Sequence, residues 1–254
     1  MRAKKYLGQN FLKNKEMLHK IAEATEIRDS DMIIEVGPGH GELTEFLIAT
    51  KPKKLIVIEK DPVLAKALAE KFNNISVIEG DALKKLKELN LVGNWKLVGN
   101  IPYYITGHLL RVISELDNPP QKTVVTVQKE VAERIISVPP KASLLSSVIG
   151  GWAIPKYLFT ISREDFMPAP KVDSAVISLD RKESVFPKTY FTIARALFRQ
   201  PRKKASNNLS ACLGVSKKEA EKILASCDLS VDIRPQTLSP EEILCLSEKS
   251  PLCS

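Results

Sequence analysis

One four-residue segment of the chain is suited to methylating a conjugated amine: Asn100, Ile101, Pro102 and Tyr103. The exocyclic nitrogen of adenine is a weak nucleophile because its lone pair is delocalised into the ring. Two acceptors, one for each N–H, would favour a pyramidal nitrogen. Asn100 offers a side-chain carbonyl, and Pro102 holds the Ile101 backbone carbonyl in an extended conformation. Tyr103 offers a face on which a base stacks, worth about 1–3 kcal/mol, so the rate would come from in-line positioning without a general base.

A glycine-rich turn further upstream predicts a ligand site. Gly37, Gly39 and Gly41 lie between a predicted strand and a predicted helix, where missing Cβ atoms let the backbone approach a ligand. Glu59 ends the next strand, where a nucleoside-binding fold places a carboxylate for ribose hydroxyls, and Asp81 can accept from an adenine amine. The spacing Gly-x-Gly-x-Gly is not that of a nicotinamide dinucleotide site and favours S-adenosylmethionine. Taken alone, the turn also fits a structural connection, and Asp81 fits a helix cap.

The elements that must position these residues alternate regularly. Near-continuous apolar strands suit a parallel sheet that is covered on both faces, and such sheets bind ligands at the carboxyl ends of their strands. Asp61 followed by Pro62 is a strong helix start. The pattern predicts an α/β, Rossmann-like sheet. The predicted parallel strands cover residues 32–36, 55–58, 75–78, 96–98 and 123–127.

Later segments depart from this alternation. Strands near 154–161 and 172–179 are expected to pair as a late antiparallel hairpin, and residues 141–147 are expected to be flexible. Beyond residue 182 helical periodicity dominates and strand patterns are absent. The sequence therefore predicts a first domain over 1–182 and a small all-helical domain over 183–254. The predicted helices of the second domain cover 188–199, 216–226 and 240–248.

Composition describes an ordinary soluble globular chain of 254 residues with 44% apolar and 27% charged residues. No apolar run approaches the ~20 residues of a membrane helix, and no signal peptide is evident, so we expect a cytoplasmic protein without membrane contact. The net charge of +8 favours a polyanion partner, with solvated surface charge as the alternative. The cysteines lack zinc spacing and are expected to be reduced thiols, with no metal bound. They are Cys212, Cys227, Cys245 and Cys253.

Together these residues resemble the ribosomal RNA adenine dimethyltransferases, closest to the bacterial enzymes that dimethylate two adjacent adenines near the 3′ end of small-subunit RNA. The resemblance is weaker beyond residue 176. It implies a class I methyltransferase fold, S-adenosylmethionine as methyl donor, and ribosomal RNA of the immature small subunit as partner. We expect a monomer, since nothing in the sequence suggests an interface. The matching blocks are residues 7–12, 35–41, 59, 81–82, 100–103, 128–132 and 166–176.

The resemblance also implies site roles. Tyr103 and Phe166 are expected to sandwich the flipped adenine, and the Phe-x-Pro-x-Pro loop makes an exposed, rigid Phe166 plausible. Asn100 is expected beside both the donor and the target amine. The implied donor contacts are Asn10, Leu12, Gly37, Gly39, Glu59, Asp81 and Asn100.

A basic run in the second domain is expected to contact RNA phosphates without reading sequence. The family usually shows an uninterrupted Asn-Gln-Arg-Arg-Lys type of run, whereas this chain has Pro201 there, which would break a helix. A solvated helix face is the alternative interpretation. The residues concerned are Arg195, Arg199, Arg202, Lys203 and Lys204.

Three other functions remain open. A large-subunit methyltransferase of the macrolide-resistance type shares both motifs, although residues 7–10 and 128–131 favour the small-subunit enzyme. A non-catalytic RNA-binding or assembly factor could keep the same fold, but intact Asn100 and Tyr103 argue against binding alone. A nicotinamide oxidoreductase is disfavoured by the glycine spacing and by the lack of an acid suited to a hydride site.

Overall fold

The computed structural model describes residues 10–251. Residues 7–9 of the N-terminal block and Cys253 therefore lie outside the described residues. The chain divides into two compact units: residues up to Ala132 with Pro155–Arg181, and Glu133–Ile154 with residues from Lys182 onward. Residues 133–154, which the sequence analysis assigned to the first domain, thus belong to the second unit.

The first unit is organised around a seven-stranded sheet. The strands of the described chain are β1 (Phe11–Leu12), β2 (Met32–Val36), β3 (Lys54–Glu59), β4 (Ser76–Glu79), β5 (Trp95–Asn100), β6 (Lys122–Gln128), β7 (Ala153–Ile161), β8 (Phe166–Met167) and β9 (Ser174–Arg181). The order in the sheet is β4-β3-β2-β5-β6-β9-β7, while β1 and β8 form a separate antiparallel pair. Strands β2 to β6 pair in parallel and β9 runs antiparallel to β6. The predicted Rossmann-like α/β sheet is confirmed.

Apolar strand residues form the centre of this unit. Ile33, Val57, Leu97 and Val125, from four neighbouring strands, are all fully buried. Burial on both faces explains why these strands read as apolar runs instead of alternating patterns. The helices that connect the strands are α1 (Lys15–Ala24), α2 (Glu42–Ala49), α3 (Pro62–Lys71), α4 (Ala82–Glu88), α5 (Thr106–Glu115) and α6 (Lys129–Ile135).

Side-chain caps fix where two of these helices begin. Asp61 accepts from the backbone N–H of Val63 at 3.0 Å, and Pro62 occupies the first helical position of α3. Asn14 accepts from two N–H groups in the first turn of α1. Each cap satisfies donors that lack an intrahelical partner, and the predicted start of α3 is confirmed.

A buried ion pair lies near the amino end of β5. The Nζ atom of Lys96 is 2.8 Å from Oδ2 of Asp31 and also donates to the backbone carbonyl of Glu26. The Lys96 and Asp31 side chains are only 8% and 6% exposed. Burial acts to raise the pKa of Asp31, but hydrogen bonds from Lys96 and the Arg28 N–H, with the nearby positive charges, hold it below its ordinary value. Asp31 is therefore ionised and depends on Lys96 for compensation.

The second unit is mainly helical. Its helices are α7 (Leu144–Gly150), α8 (Lys188–Leu197), α9 (Ala205–Leu213), α10 (Lys217–Ala225) and α11 (Pro240–Glu248). Capping boxes start α7, α10 and α11 at Ser143, Ser216 and Ser239. The expectation of a flexible stretch over 141–147 is wrong where α7 begins, because Ser143 caps a helix that is buried from Ser146 to Gly150.

Two cysteines of the second unit also differ from expectation. Cys227 and Cys245 form a disulfide with a Cα–Cα distance of 6.0 Å, so they are not the reduced thiols that the sequence suggested. Cys212 is an exposed free thiol. Across residues 10–251, no helix combines the length and the apolar character needed to cross a bilayer.

Candidate active site

A cleft opens at the carboxyl ends of β2, β3, β4 and β5 in the first unit. Open α/β sheets bind their ligands at this edge. The strands end in the glycine turn, Glu59, the Gly80–Asp81 turn and Asn100, so one cleft collects side chains that are far apart in sequence. All the predicted donor residues line it, together with three of the four predicted catalytic residues, Asn100 being in both sets. These residues are Asn10, Leu12, Gly37, Gly39, Glu59, Asp81, Asn100, Ile101 and Tyr103.

The glycine turn requires residues without side chains. Gly39 has φ +62°, and a Cβ there would lie 2.8 Å from the Phe11 ring. Gly41 has φ +86°, and a Cβ there would lie 2.6 Å from the Phe72 ring. Both left-handed conformations and both contacts exclude larger residues. The turn is therefore a backbone wall of the cleft, closed on its outer side by aromatic rings.

Glu59 is a carboxylate held rigidly in the wall of the cleft. It is 5% exposed, and its two oxygens accept from the backbone N–H groups of Asp61 at 2.8 Å and Gly39 at 3.2 Å. Burial raises the pKa of Glu59, and the backbone N–H donors offset part of that effect. A carboxylate has about four lone-pair sites, so the remaining two can accept from a vicinal diol. This geometry suits a ribose.

Asp81 is positioned by two donors. Oδ1 caps α4 by accepting from the Leu83 N–H at 3.0 Å, and Oδ2 accepts from Lys60 Nζ at 2.9 Å. Burial acts to raise the pKa of Asp81, but the Lys60 and Leu83 hydrogen bonds outweigh it and keep the pKa below its ordinary value. Lys60 and the exposed Tyr104 line the same part of the cleft. The helix-cap interpretation and the acceptor role are thus compatible, because an ionised carboxylate accepts from several donors.

Glu35 is a cleft residue to which the sequence analysis gave no role. It lies in β2, is 1% exposed, and its Oε2 accepts from the Thr44 hydroxyl at 2.6 Å. Burial, with smaller contributions from Glu42 and Glu59, raises the pKa of Glu35 to about 8. The sequence does contain a signal for Glu35. It is an acid inside an otherwise apolar strand, two residues before the first glycine of the turn.

The Asn100 side chain is oriented by the N-terminal segment. Its Nδ2 atom donates to the backbone carbonyl of Asn10 at 3.0 Å. Asn10 precedes β1, which pairs with β8 so that Leu12 faces Phe166. The Phe11 ring also lies 4.6 Å from that of His40 in the glycine turn. The segment therefore borders the cleft with the amide of Asn100 fixed against it.

Tyr103 follows Asn100 in a short 3-10 turn, Tyr103–Ile105. Pro102 has φ −56° and ψ 131°, and its carbonyl accepts from the Ile105 N–H at 3.1 Å. The side chain of Ile101 is 2% exposed, so the loop is anchored beneath the cleft by an apolar residue. The Tyr103 hydroxyl lies 2.6 Å from Oγ of Ser174 at the start of β9.

The expectation of an exposed Phe166 is wrong. Phe166 is 4% exposed and packs in the hydrophobic core with Leu12 and Ile161. Its pairing partner in the β1–β8 ladder, Leu12, lines the cleft, whereas Phe166 is not among the lining residues. The neighbouring Met167 is 68% exposed instead.

The predicted RNA contacts lie in the second unit. Arg195 is in the last turn of α8, and the other four residues lie in the connection between α8 and α9. Helix α8 ends at Leu197, so Pro201 falls in a turn and breaks no helix. The Asn208 side chain donates to the carbonyls of Gln200 and Lys204, which fixes this turn. Its exposed basic residues are Arg199, Arg202, Lys203 and Lys204, of which Lys204 is ion-paired with Asp232.

Comparisons with known proteins agree on one protein family. The family model described as ribosomal RNA adenine dimethylase matches residues 1–244. The chain is 38% identical to the ribosomal RNA small subunit methyltransferase A of Dehalococcoides mccartyi, over 97% of this chain and 88% of that protein. It is 37% identical to the protein of the same name from Fusobacterium nucleatum, over 95% of each.

Solved structures agree with the sequence relatives. A dimethyladenosine transferase from Plasmodium falciparum superimposes with a TM-score of 0.76 at 27% identity, covering 93% of this chain and 95% of that one. The 23S rRNA methyltransferase ErmE superimposes with a TM-score of 0.71 at 25% identity, covering 95% of this chain and 99% of that one. Both similarities extend over nearly the whole length of the chain.

Proposed function

The chain belongs to the ribosomal RNA adenine dimethylase family and is an S-adenosylmethionine-dependent rRNA adenine methyltransferase, and we propose that its targets are two adjacent adenines near the 3′ end of small-subunit RNA. Two relatives at 37–38% identity carry a small-subunit name, whereas the large-subunit enzyme ErmE is 25% identical. We further propose that the substrate is the immature small subunit, met in the cytoplasm by a monomeric enzyme.

The observation that carries this proposal is the orientation of the Asn100 amide. Because Nδ2 donates to the Asn10 carbonyl, the carbonyl oxygen Oδ1 is the group that the side chain presents to a ligand. A target amine has two N–H donors, and the Ile101 backbone carbonyl next to Asn100 supplies the second acceptor. Holding both N–H groups directs the nitrogen lone pair away from the protein acceptors. The proton released on methylation needs no dedicated base, since an arylammonium is acidic.

The methyl donor fits the cleft. The turn at Gly37 leaves room that a Cβ would fill, and Glu59 and Asp81 offer acceptors for a ribose and an adenine amine. Asn10 and Leu12 complete the set of residues that would hold it. When bound, S-adenosylmethionine supplies an electrophilic methyl group on a sulfonium. The protein's contribution is to position the amine in line with that group, an effect that acts on the entropy of activation.

The target base would stack on Tyr103, after leaving its own stack to present its amine. The buried ring of Phe166 supports the other side of this subsite through Leu12 and the β1–β8 pair. A direct sandwich between Tyr103 and Phe166 requires the Phe166 ring to become accessible when RNA binds. A Phe166→Leu variant costs some stability because the residue is buried, so methyl transfer is compared under conditions in which the variant is fully folded. Stacking predicts a lower kcat there, whereas a packing role alone predicts the kcat of the parent protein.

The decisive experiment measures methyl transfer from radiolabelled S-adenosylmethionine to small subunits that lack the 3′-end adenine methyls, with large subunits in parallel. Dimethyladenosine in the small subunit alone is the expected result. Label in the large subunit would indicate the macrolide-resistance type, and donor binding without label would indicate a different assembly state of the substrate. Absence of donor binding would indicate a non-catalytic RNA-binding factor.

The mechanism is tested by Asn100→Ala. We expect transfer to fall by at least ~100-fold while folding and much of donor binding are kept, because the other donor contacts remain and the amine loses one of its two acceptors. Asn94→Ala, at an exposed asparagine before β5 in the same unit, is the matched control and should be fully active. Full activity of Asn100→Ala would contradict the orientation mechanism.

The α8–α9 turn is proposed to bind RNA phosphate. Reversing charge at Arg202, Lys203 and Lys204 should weaken RNA binding and flatten its salt dependence, by about one unit of slope for each phosphate that is no longer neutralised. The effect should be the same for every RNA sequence, since phosphate contacts position without specifying.

A matched control separates a local interaction from a change in net charge. Lys51, Lys53 and Lys54 are exposed and lie at the amino end of β3, whereas the cleft lies at the carboxyl ends of the strands. Reversing these three charges changes the net charge equally. An identical weakening of RNA binding in both triple variants would exclude the α8–α9 turn as a specific binding surface.

A further inference from the structure

The hydroxyl of Tyr103 makes a hydrogen bond that adenine stacking does not require. It lies 2.6 Å from Oγ of Ser174, a residue with 0% exposure at the first position of β9. A phenylalanine would offer the same stacking face. The hydroxyl therefore adds an interaction with the protein beyond the face that a base would use.

Ser174 is held in place from both sides by backbone pairing. It is the partner of Gln128 at the last position of the β6–β9 ladder. The preceding residue, Asp173, accepts from the Lys129 N–H at 3.0 Å through its carbonyl and from the Arg163 N–H at 3.1 Å through its side chain. The backbone of Ser174 is consequently fixed beside the carboxyl end of β6, and its fully buried side chain has little room to move.

Tyr103 itself has less support. It lies in a single 3-10 turn and is partly exposed to solvent. Two side-chain torsions set the plane of its ring. Burial raises the pKa of the hydroxyl, so the group stays neutral and can serve as donor or acceptor toward Ser174. A neutral, short hydrogen bond to a fixed oxygen restricts both torsions.

We propose that Ser174 is a positioning residue that locks the Tyr103 ring in the orientation in which it receives the target adenine. This inference rests on the proposed stacking role of Tyr103. Ser174 does not need to touch the base. It orders the Tyr103 ring before the base binds, so the entropic cost of ordering that ring does not weaken base binding. The expected signature is a defect confined to the RNA side of the reaction.

The test is a double-mutant cycle of Ser174→Ala and Tyr103→Phe, assayed on undermethylated small subunits with both substrates varied. Each single variant should reduce kcat/KM for the RNA substrate by about five-fold, the effect of one neutral hydrogen bond. The KM for S-adenosylmethionine should be unchanged. The double variant should be no worse than either single variant, because both remove the same bond.

A matched control lies on the same strand. Ser178 is 1% exposed, has the same side-chain size as Ser174 and pairs with Val124 deeper in the ladder. Ser178→Ala should keep wild-type kinetics on both substrates. This control separates removal of the Tyr103 hydrogen bond from a general effect of removing a buried hydroxyl from β9.

Three outcomes would overturn the proposal: wild-type kinetics of Ser174→Ala, wild-type kinetics of Tyr103→Phe, or additive defects in the double variant. A raised KM for the donor in Ser174→Ala would also contradict it, since that points to a general disturbance of the cleft. Failure of the proposed function is distinguishable, because then the unmodified enzyme would leave small subunits unlabelled.

Discussion

Replacing Glu35 by glutamine should stabilise the first unit, and should do so more strongly as pH rises. The folded-state pKa of Glu35 is about 8, against an ordinary value of 4.5, because the carboxyl group is buried. The folded state thus binds more protons than the unfolded chain between these values, and stability falls as pH rises through that window. From pH 5 to pH 8 the decrease amounts to about 3–4 kcal/mol.

Glutamine removes this pH-dependent decrease without changing the shape of the residue. Its amide oxygen can still accept from the Thr44 hydroxyl, which donates to Glu35 at 2.6 Å, but the side chain cannot ionise. The difference in unfolding free energy between Glu35→Gln and the parent protein should therefore grow by about 3–4 kcal/mol between pH 5 and pH 8. This difference in unfolding free energy is predicted for the protein without bound S-adenosylmethionine.

Urea unfolding at several pH values measures this difference. The chain has two tryptophans, Trp95 in the first unit and Trp152 in the second, so a Trp152→Phe background makes Trp95 the reporter. Glu45→Gln, at an exposed carboxylate of the same helix as Thr44, is the control for removing one negative charge at the surface. Parallel stability curves for Glu35→Gln and its parent would refute the assignment of a neutral, buried Glu35.

Two further predictions concern stability. Lys96→Met should lower the unfolding free energy by about 3–5 kcal/mol because Asp31 is left buried without its partner. A second substitution, Asp31→Asn, should restore most of that free energy in urea titrations. No recovery would show that loss of the ion pair is not the cause. Gly41→Ala should cost about 2–4 kcal/mol, since it combines a left-handed conformation with a Cβ 2.6 Å from Phe72. Gly107→Ala, where a Cβ meets nothing within 4 Å in helix α5, should be neutral or slightly stabilising by the same measurement.

Local sequence patterns predicted the sheet and the edge that carries the cleft. The apolar strands end at Glu59 and Asn100, and the parallel arrangement brings these ends together whatever the intervening lengths. The start of α3 was also predictable, because Asp61 and Pro62 act within one helical turn. These features depend on short-range chemistry, which a single sequence displays.

Long-range pairing accounts for what the sequence did not reveal. Phe166 reads as an exposed loop aromatic, yet the ladder with Leu12, more than half the chain away, buries it. The disulfide joins Cys227, which follows α10, to Cys245 in α11, and cysteine spacing does not specify that these two residues meet. The hydrogen bond between Ser174 and Tyr103 joins β9 to a turn after β5 and has no local signature.

The ladder between β1 and β8 connects the proposed donor subsite with the proposed adenine subsite. Leu12 lines the cleft and Phe166 packs behind it, so the two share one pair of strands. If a bound donor raises the affinity for the adenine through this pair, a bound adenine must raise the affinity for the donor by the same factor, because linkage is reciprocal. The enzyme would then hold its RNA most firmly with a fresh donor in place, and a spent donor that loosened the pair would release the base between the first and second methylations.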